Sequence, residues 1–272
     1  MSLIRLTSPL LAALCLTLGA APAAADHHDP VGDAVAGQHR SEANRARDQW
    51  RHPEQTLAFF GFRPDFTVIE IFPGGGWYTE ILAPALRDSG RLVAAHYGEN
   101  TSSDYRNQSH RDYVAKLAAE PKVYDQVNVI AYDPATSSLG EPGRADMVLT
   151  FRGLHGMQRD GTLDSFLADA YEALKPGGVL GVVQHRAPEG VALADASAGY
   201  LPQPFVIERA RAAGFELAGT SEINANPKDT ADYAKGVWTL PPVLRLGEED
   251  REKYLAIGES DRMTLKFIKP AS

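Results

Sequence analysis

A single cysteine is all the thiol chemistry this sequence holds, and it stands at position 15, inside an apolar run near the N-terminus. Without a pair there is no disulfide, and no thiolate nucleophile or cysteine-rich metal site is available further along. Long hydrophobic runs are also scarce. The stretch from Leu10 to Leu18 is the most apolar one, and it is too short to cross a bilayer as a mature helix. Basic residues fall short of acidic ones, 27 Lys and Arg against 35 Asp and Glu, for a formal charge of −8. That balance argues against a broad nucleic-acid surface, so no nucleic-acid partner is expected. No internal repeat and no linker divides the chain, which therefore reads as one domain stabilised by its core.

What is present starts with a leader. Arg5, the apolar core and the small-residue stretch closing on Ala23-Ala-Ala25 read as a secretory signal cleaved after Ala25. The expected location is secreted or periplasmic, with no membrane span. Residues 26–40 open on Asp-His-His-Asp, which could hold a metal but reads better as a polar, flexible terminus. From Ser41, a plausible cap, the run Glu42 to Trp50 reads as a helix that Pro53 breaks, and Glu54 to Phe60 as another. Arg47, Arg51, Asp48 and His52 put two polar stripes on this preface, residues 41–62, which fits either a lid or a plain packing helix.

The chain is organised around Thr67 to Thr79. Val68 to Phe72 is a strand, Pro73-Gly-Gly-Gly76 cannot continue it, and a helix starts near Trp77. Strand, glycine turn and helix in that order bring backbone N–H groups to a ligand at a helix N-terminus. Glu70 lies in the strand just before the turn. Further strands are expected at Arg91–Ala95, Tyr124–Ala131, Ala145–Phe151, Val179–Val183, Phe215–Ala218 and Met263–Ile268. Helices are expected at His110–Ala119, Thr162–Leu174 and Val206–Ala213, with Ser102–Gln108 a loop and Lys175-Pro-Gly-Gly178 a sharp turn. The alternation argues for a mostly parallel sheet covered on both faces. Residues 224–261 form a long irregular insertion, which in a compact domain has a function or hides a short element.

Carried by the glycine turn, the acidic position after the third strand, Leu174-Lys-Pro-Gly-Gly178 and the closing strand pair, the sequence resembles a class I S-adenosylmethionine-dependent methyltransferase. It resembles more closely the exported group of such proteins, over roughly Arg47 to Pro270. The resemblance implies an α/β, Rossmann-like methyltransferase fold: a seven-stranded, mostly parallel sheet with helices on both faces and a C-terminal antiparallel strand. It implies S-adenosyl-L-methionine as cofactor. Glu70 would orient the methionine amine, Gly74 and Gly76 would pack on the methionine and ribose, and Asp133 would lie near the adenine amino group. The chain departs from the family pattern at Phe72, where glycine is usual, and at His96, where an acid usually binds the ribose hydroxyls. Tyr97 or Glu99 would have to compensate. Tyr78 is a further candidate contact.

Methyl transfer needs alignment, exclusion of water and sometimes removal of a proton. His155 and His185 follow adjacent strand ends, and a histidine near its normal pKa is a suitable proton acceptor, so these two are the catalytic candidates. Arg152 and Arg186 flank them and, with Arg47 and His52 of the preface, are the candidate contacts to a small or medium acceptor. His155, His185 and Asp133 could converge on a metal, but no pair has the short spacing of a dedicated zinc site, and none is expected. Two other functions stay open: an exported, non-catalytic binding protein on the same scaffold, and a nicotinamide-dependent oxidoreductase, whose G-x-G-x-x-G pattern the turn fits poorly.

Overall fold

The computed structural model describes residues 29–191 and 196–271. The expected leader and its cleavage site after Ala25 lie outside the described residues. Seven strands form one sheet: β1 (Thr67–Ile71), β2 (Arg91–His96), β3 (Asn128–Ala131), β4 (Ala145–Phe151), β5 (Leu174–His185), β6 (Glu216–Ser221) and β7 (Arg262–Ile268). Their order is β3-β2-β1-β4-β5-β7-β6. All neighbouring pairs up to β5 are parallel, and β7 runs antiparallel between β5 and β6. In β1, Val68, Ile69, Glu70 and Ile71 are all buried, as expected of a strand with helices on both faces. Two apolar clusters lie on opposite sides, one around Val148, Leu180 and Leu265, the other around Val68, Ile81 and Leu149. Among the described residues, no helix is long and apolar enough to cross a membrane.

Several local expectations change. The terminus expected to be flexible contains a helix, Pro30–Ala36, whose N-cap Asp29 accepts from Val31 N–H at 3.2 Å. Behind it Arg40 is 1 % exposed and forms a two-pronged pair with Asp48 at 2.8 and 2.7 Å. It is also tied to Glu80, 3.6 Å from Arg40 Nε, with His39 Nε2 2.6 Å from the Glu80 carbonyl, pairing that composition does not reveal. The single helix expected over Glu42–Trp50 is two short ones, Glu42–Arg45 and Asp48–Arg51. Pro53 starts the next helix, Pro53–Phe60, because its missing N–H costs nothing in a first turn. The loop expected at 102–108 is mostly helical: Ser103 caps Asp104–Ala119 by accepting from Arg106 N–H at 3.4 Å. β3 begins only at Asn128, after a helical turn at Pro121–Tyr124. The Lys-Pro-Gly-Gly turn is absorbed into β5 as an irregularity in its pairing with β4, with Gly177 at φ 78°.

The insertion is pinned rather than loose. Asn224 donates to Thr56 Oγ1 at 3.0 Å and Thr264 Oγ1 at 2.9 Å, and Asn226 donates to the carbonyls of Ile257 and Glu259 at 2.9 and 2.7 Å. Between these anchors run a 3-10 turn, Gly236–Thr239, and a helix, Arg251–Ile257. The fold-back delivers Trp238, Glu259 and Ser260 to the edge where β1, β4 and β5 end and β7 begins.

Candidate functional site

The C-terminal edge of the sheet carries two neighbouring groups of side chains, the place where open α/β sheets bind ligands. The first surrounds the glycine turn. β1 ends at Ile71, and Phe72 follows at φ 46°, a left-handed conformation in which glycine is at ease and phenylalanine is strained. The Phe72 ring stacks on Tyr97 at 4.5 Å between centroids. Gly74 and Gly76 have φ 58° and 75°, and Gly76 N–H closes the turn on Pro73 O at 2.9 Å. A Cβ added to Gly74 or Gly75 would meet nothing within 4 Å, whereas one on Gly76 would press on Tyr113 at 3.1 Å. The turn is thus open above its first two glycines and packed beneath the third. Lys116 holds it from below, donating to Gly75 O at 2.8 Å and to Glu80 Oε1 at 2.6 Å.

Glu70 is buried and accepts from Thr79 Oγ1 at 2.7 Å. Burial lifts its pKa from 4.5 to about 7, although Thr79, Lys116 and Arg152 pull the other way. A carboxyl whose folded pKa is raised contributes stability below its unfolded pKa and loses it as pH climbs through the folded one. The protein is therefore expected to lose on the order of 3 kcal/mol between pH 4.5 and 7 on account of this group. Urea unfolding across that window, in wild type and in Glu70→Gln, checks it. An identical pH slope in the two proteins would show that Glu70 does not titrate there.

His96 ends β2 fully buried, its Nε2 donating to Gly74 O at 3.3 Å, so it supports the turn from underneath rather than facing a ligand. Burial lowers its pKa to about 4, which leaves it neutral. Glu99 does not reach back to the turn; it is exposed and lies 3.8 Å from His110. Asp133 is spent locally, accepting from Ala135 N–H at 3.0 Å in its own turn past β3. Tyr78 is buried against Phe151 with ring centroids 3.5 Å apart and donates to Arg51 O at 3.3 Å, so it joins the two groups by packing.

The second group follows β4 and β5. His155 and His185 come together, ring centroids 5.7 Å apart, with Trp238 5.7 Å from His155 and Tyr200 6.1 Å from His185. Gln184 donates to Gly199 O at 3.0 Å, which fixes its amide orientation, and the same nitrogen lies 3.4 Å from His155 Nδ1. Neutral His155 thus accepts at Nδ1 and carries its proton on Nε2. His185 Nδ1 lies 2.6 Å from Ser260 Oγ. The expectation of near-normal histidine pKa values is corrected. Burial, opposed by the Gln184 bond, takes His155 to about 4. Burial, then His155 and Arg152, holds His185 well below its ordinary value.

Arg152 and Arg186 separate. Arg186 is engaged by Asp261 at 2.8 and 3.0 Å and by Glu222 at 2.8 and 2.7 Å, which removes it from the acceptor contacts. Arg152, at φ 61°, is tied by its N–H to Val183 O at 2.7 Å, and its side chain lies near Arg262, Glu259, Arg47 and Tyr78. Arg47 donates to Glu259 Oε1 at 2.6 Å. His52 ends the preceding helix at φ 38°, half-buried, with Nδ1 unpartnered. Sequence reasoning misses Glu259, Ser260 and Trp238 as individual site residues, although all three fall in the 224–261 insertion for which a function or a hidden element is expected, and it reaches Arg51 only through its spacing from Arg47. Among the described residues, no group of three or more metal-ligating side chains converges.

No family model and no curated protein matches the chain. Among solved structures, a SAM-dependent methyltransferase from Aquifex aeolicus shares 14 % identity and superposes with a TM-score of 0.57, over 89 % of this chain and 99 % of that one. The fold is the Rossmann-like methyltransferase fold. The [4+2]-cyclase SpnF also matches, at 17 % identity and a TM-score of 0.58, over 89 % of this chain and 92 % of its own. At such identities the methyltransferase fold is what is shared, and SpnF shows that its reactions differ.

Proposed function

We propose that this protein binds S-adenosylmethionine along the Pro73–Gly76 turn and transfers its methyl group to a small or medium acceptor held beside His155 and His185. The observation that carries the reading is the open turn: apart from the adjoining residues, no atom lies within 4 Å of a Cβ built on Gly74 or Gly75. A ligand can therefore meet the backbone directly. The residues present fit the methionine end of the cofactor, with Glu70 behind the turn. At the nucleoside end they offer the Phe72–Tyr97 aromatic pair but no carboxylate for the ribose hydroxyls.

When bound, the cofactor supplies a methyl group already activated as a sulfonium. The chain's part is to align and to exclude water. Trp238 packs edge-on to His155, Tyr78 stacks on Phe151 between the two groups, and His185 takes up a proton where the acceptor has one to lose.

Gly75→Val tests the placement, because this glycine has open space around it and no positive φ, so the variant should fold. Calorimetry with S-adenosylmethionine and with its demethylated product is expected to show affinity reduced about tenfold or more, as a side chain blocks backbone approach. Unchanged affinity would refute this site. A second reading, a binding protein without turnover, draws on the buried His96 in place of a ribose-binding acid. Tight product binding with no transfer to any acceptor would favour it, and binding of NAD instead would favour the oxidoreductase.

A further inference from the structure

We infer that Arg51 and Arg152, with Arg47 at the rim, form an oxyanion subsite for the acceptor, which is therefore a carboxylate- or phosphate-bearing molecule. As an acceptor subsite this rests on the methyl-transfer reading; as an anion site it stands alone.

The argument begins with a charge imbalance. Three guanidinium groups share one carboxylate: Glu259 accepts from Arg47 at 2.6 Å, Arg51 at 3.1 Å and Arg262 at 3.0 Å. Arg152 is the fourth cation of the cluster, and among the described residues its side chain has no hydrogen-bond or ion-pair partner. Glu70, the other acid in range, is bonded to Thr79. Four positive charges thus face one committed negative charge within an acidic chain, so overall charge does not explain their gathering.

Donor capacity is left over, and at particular atoms. Arg262 has a partner at every nitrogen, giving Nε to Ser260 O at 3.2 Å, Nη1 to Glu259 at 3.0 Å and Nη2 to Trp50 O at 2.6 Å. Arg51 is not: its side chain is 4 % exposed, yet Nη1 is buried without a partner. The Arg51 guanidinium lies 4.6 Å from the Trp77 ring centroid, which holds its plane while leaving edge donors free. A buried cationic donor without an acceptor is costly, and a planar fork suits the two oxygens of a carboxylate or phosphate. The positive φ of Arg152 is a strained conformation for a non-glycine residue, retained where it brings that side chain into the cluster. Burial, then Arg262, lowers its pKa to about 10, so it stays charged at neutral pH.

The same chemistry could serve the cofactor's own α-carboxylate, and the test separates the two sources. Calorimetry with inorganic phosphate at low salt is run on the wild type, on Arg152→Gln and on wild type saturated with S-adenosylhomocysteine, with denaturant unfolding confirming that the variant is folded. Saturable phosphate binding is expected, weakened about tenfold or more in Arg152→Gln and retained when S-adenosylhomocysteine is bound. Absent binding, or equal affinity in a folded Arg152→Gln, overturns the subsite. Phosphate excluded by the bound product overturns the acceptor assignment and gives the arginines to the cofactor. Phosphate binding without any product binding upholds the anion site and refutes the methyl-transfer reading instead.

Discussion

Glu259→Gln is expected to destabilise the protein by about 3–5 kcal/mol, the range for breaking a buried pair so that its partners stay charged and uncompensated. Glu259 is 4 % exposed and is the acceptor that Arg47, Arg51 and Arg262 share. Burial alone would raise its pKa, but Arg51, Arg262, Arg47 and Arg152 outweigh that and hold it at about 2. The amide keeps the shape and can accept a bond or two, but it removes the negative charge from among four guanidinium groups. In a domain of this size the loss corresponds to a fall in Tm on the order of 10 °C.

The pH dependence gives a second readout. A carboxyl with a depressed folded pKa contributes stability above its unfolded value and loses it as pH falls through the folded one. Wild type should therefore lose this contribution between pH 4.5 and about 2, and the variant should not. Chemical denaturation at pH 7 and at pH 3 measures both. A loss under about 1 kcal/mol at pH 7 would mean that the arginines do not depend on Glu259, as for an exposed pair.

Much of this edge was legible from local pattern. Val68 to Ile71 is apolar enough to be buried on both faces, and Pro73-Gly-Gly-Gly76 cannot extend a strand, so strand, turn and helix follow from steric chemistry alone. His155 stands four residues past Phe151 and His185 is the last residue of β5, and the two strands are paired neighbours, Phe151 opposite Val183, which brings the histidines together. What was not legible depends on distance along the chain. Glu259 meets Arg47 and Arg51 across more than two hundred residues, and nothing about an acid in a polar insertion marks it as a hub. Arg40 reads as part of a flexible terminus because its partners, Asp48 and Glu80, lie outside that terminus. The strand-end rule aimed His96 at a ligand, but the final residue of β2 is buried and bonds to the carbonyl of Gly74. Burial also decides the histidine pKa values, and burial is a property of packing that side-chain identity does not carry.

That lowered pKa shapes the remaining expectation. His185→Ala should reduce methyl transfer by about 10²-fold, the lower end of the range for general-base groups, while affinity for the demethylated cofactor stays unchanged. The lower end applies because a buried, neutral imidazole well below its ordinary pKa is already unprotonated at pH 7 but draws a proton weakly. Of the two histidines, His185 suits the role. In the tautomer where its Nδ1–H donates to Ser260 Oγ at 2.6 Å, Nε2 keeps a free lone pair. His155 accepts at Nδ1 from Gln184 and so presents an N–H, which can orient an acceptor oxygen but cannot take its proton. His155→Ala should therefore act mainly by raising KM, with a smaller change in kcat. Ser260→Ala adds a control: without its hydrogen-bond partner at Nδ1, which orients the ring, His185 should lose part of the same rate while cofactor affinity is again untouched. The acceptor for these assays would come from a screen of anionic hydroxyl and amine compounds. Equal loss of kcat in both histidine variants would assign them to one joint role. Full turnover in both would exclude proton transfer by histidine and leave alignment of an already nucleophilic acceptor as the work of this cleft.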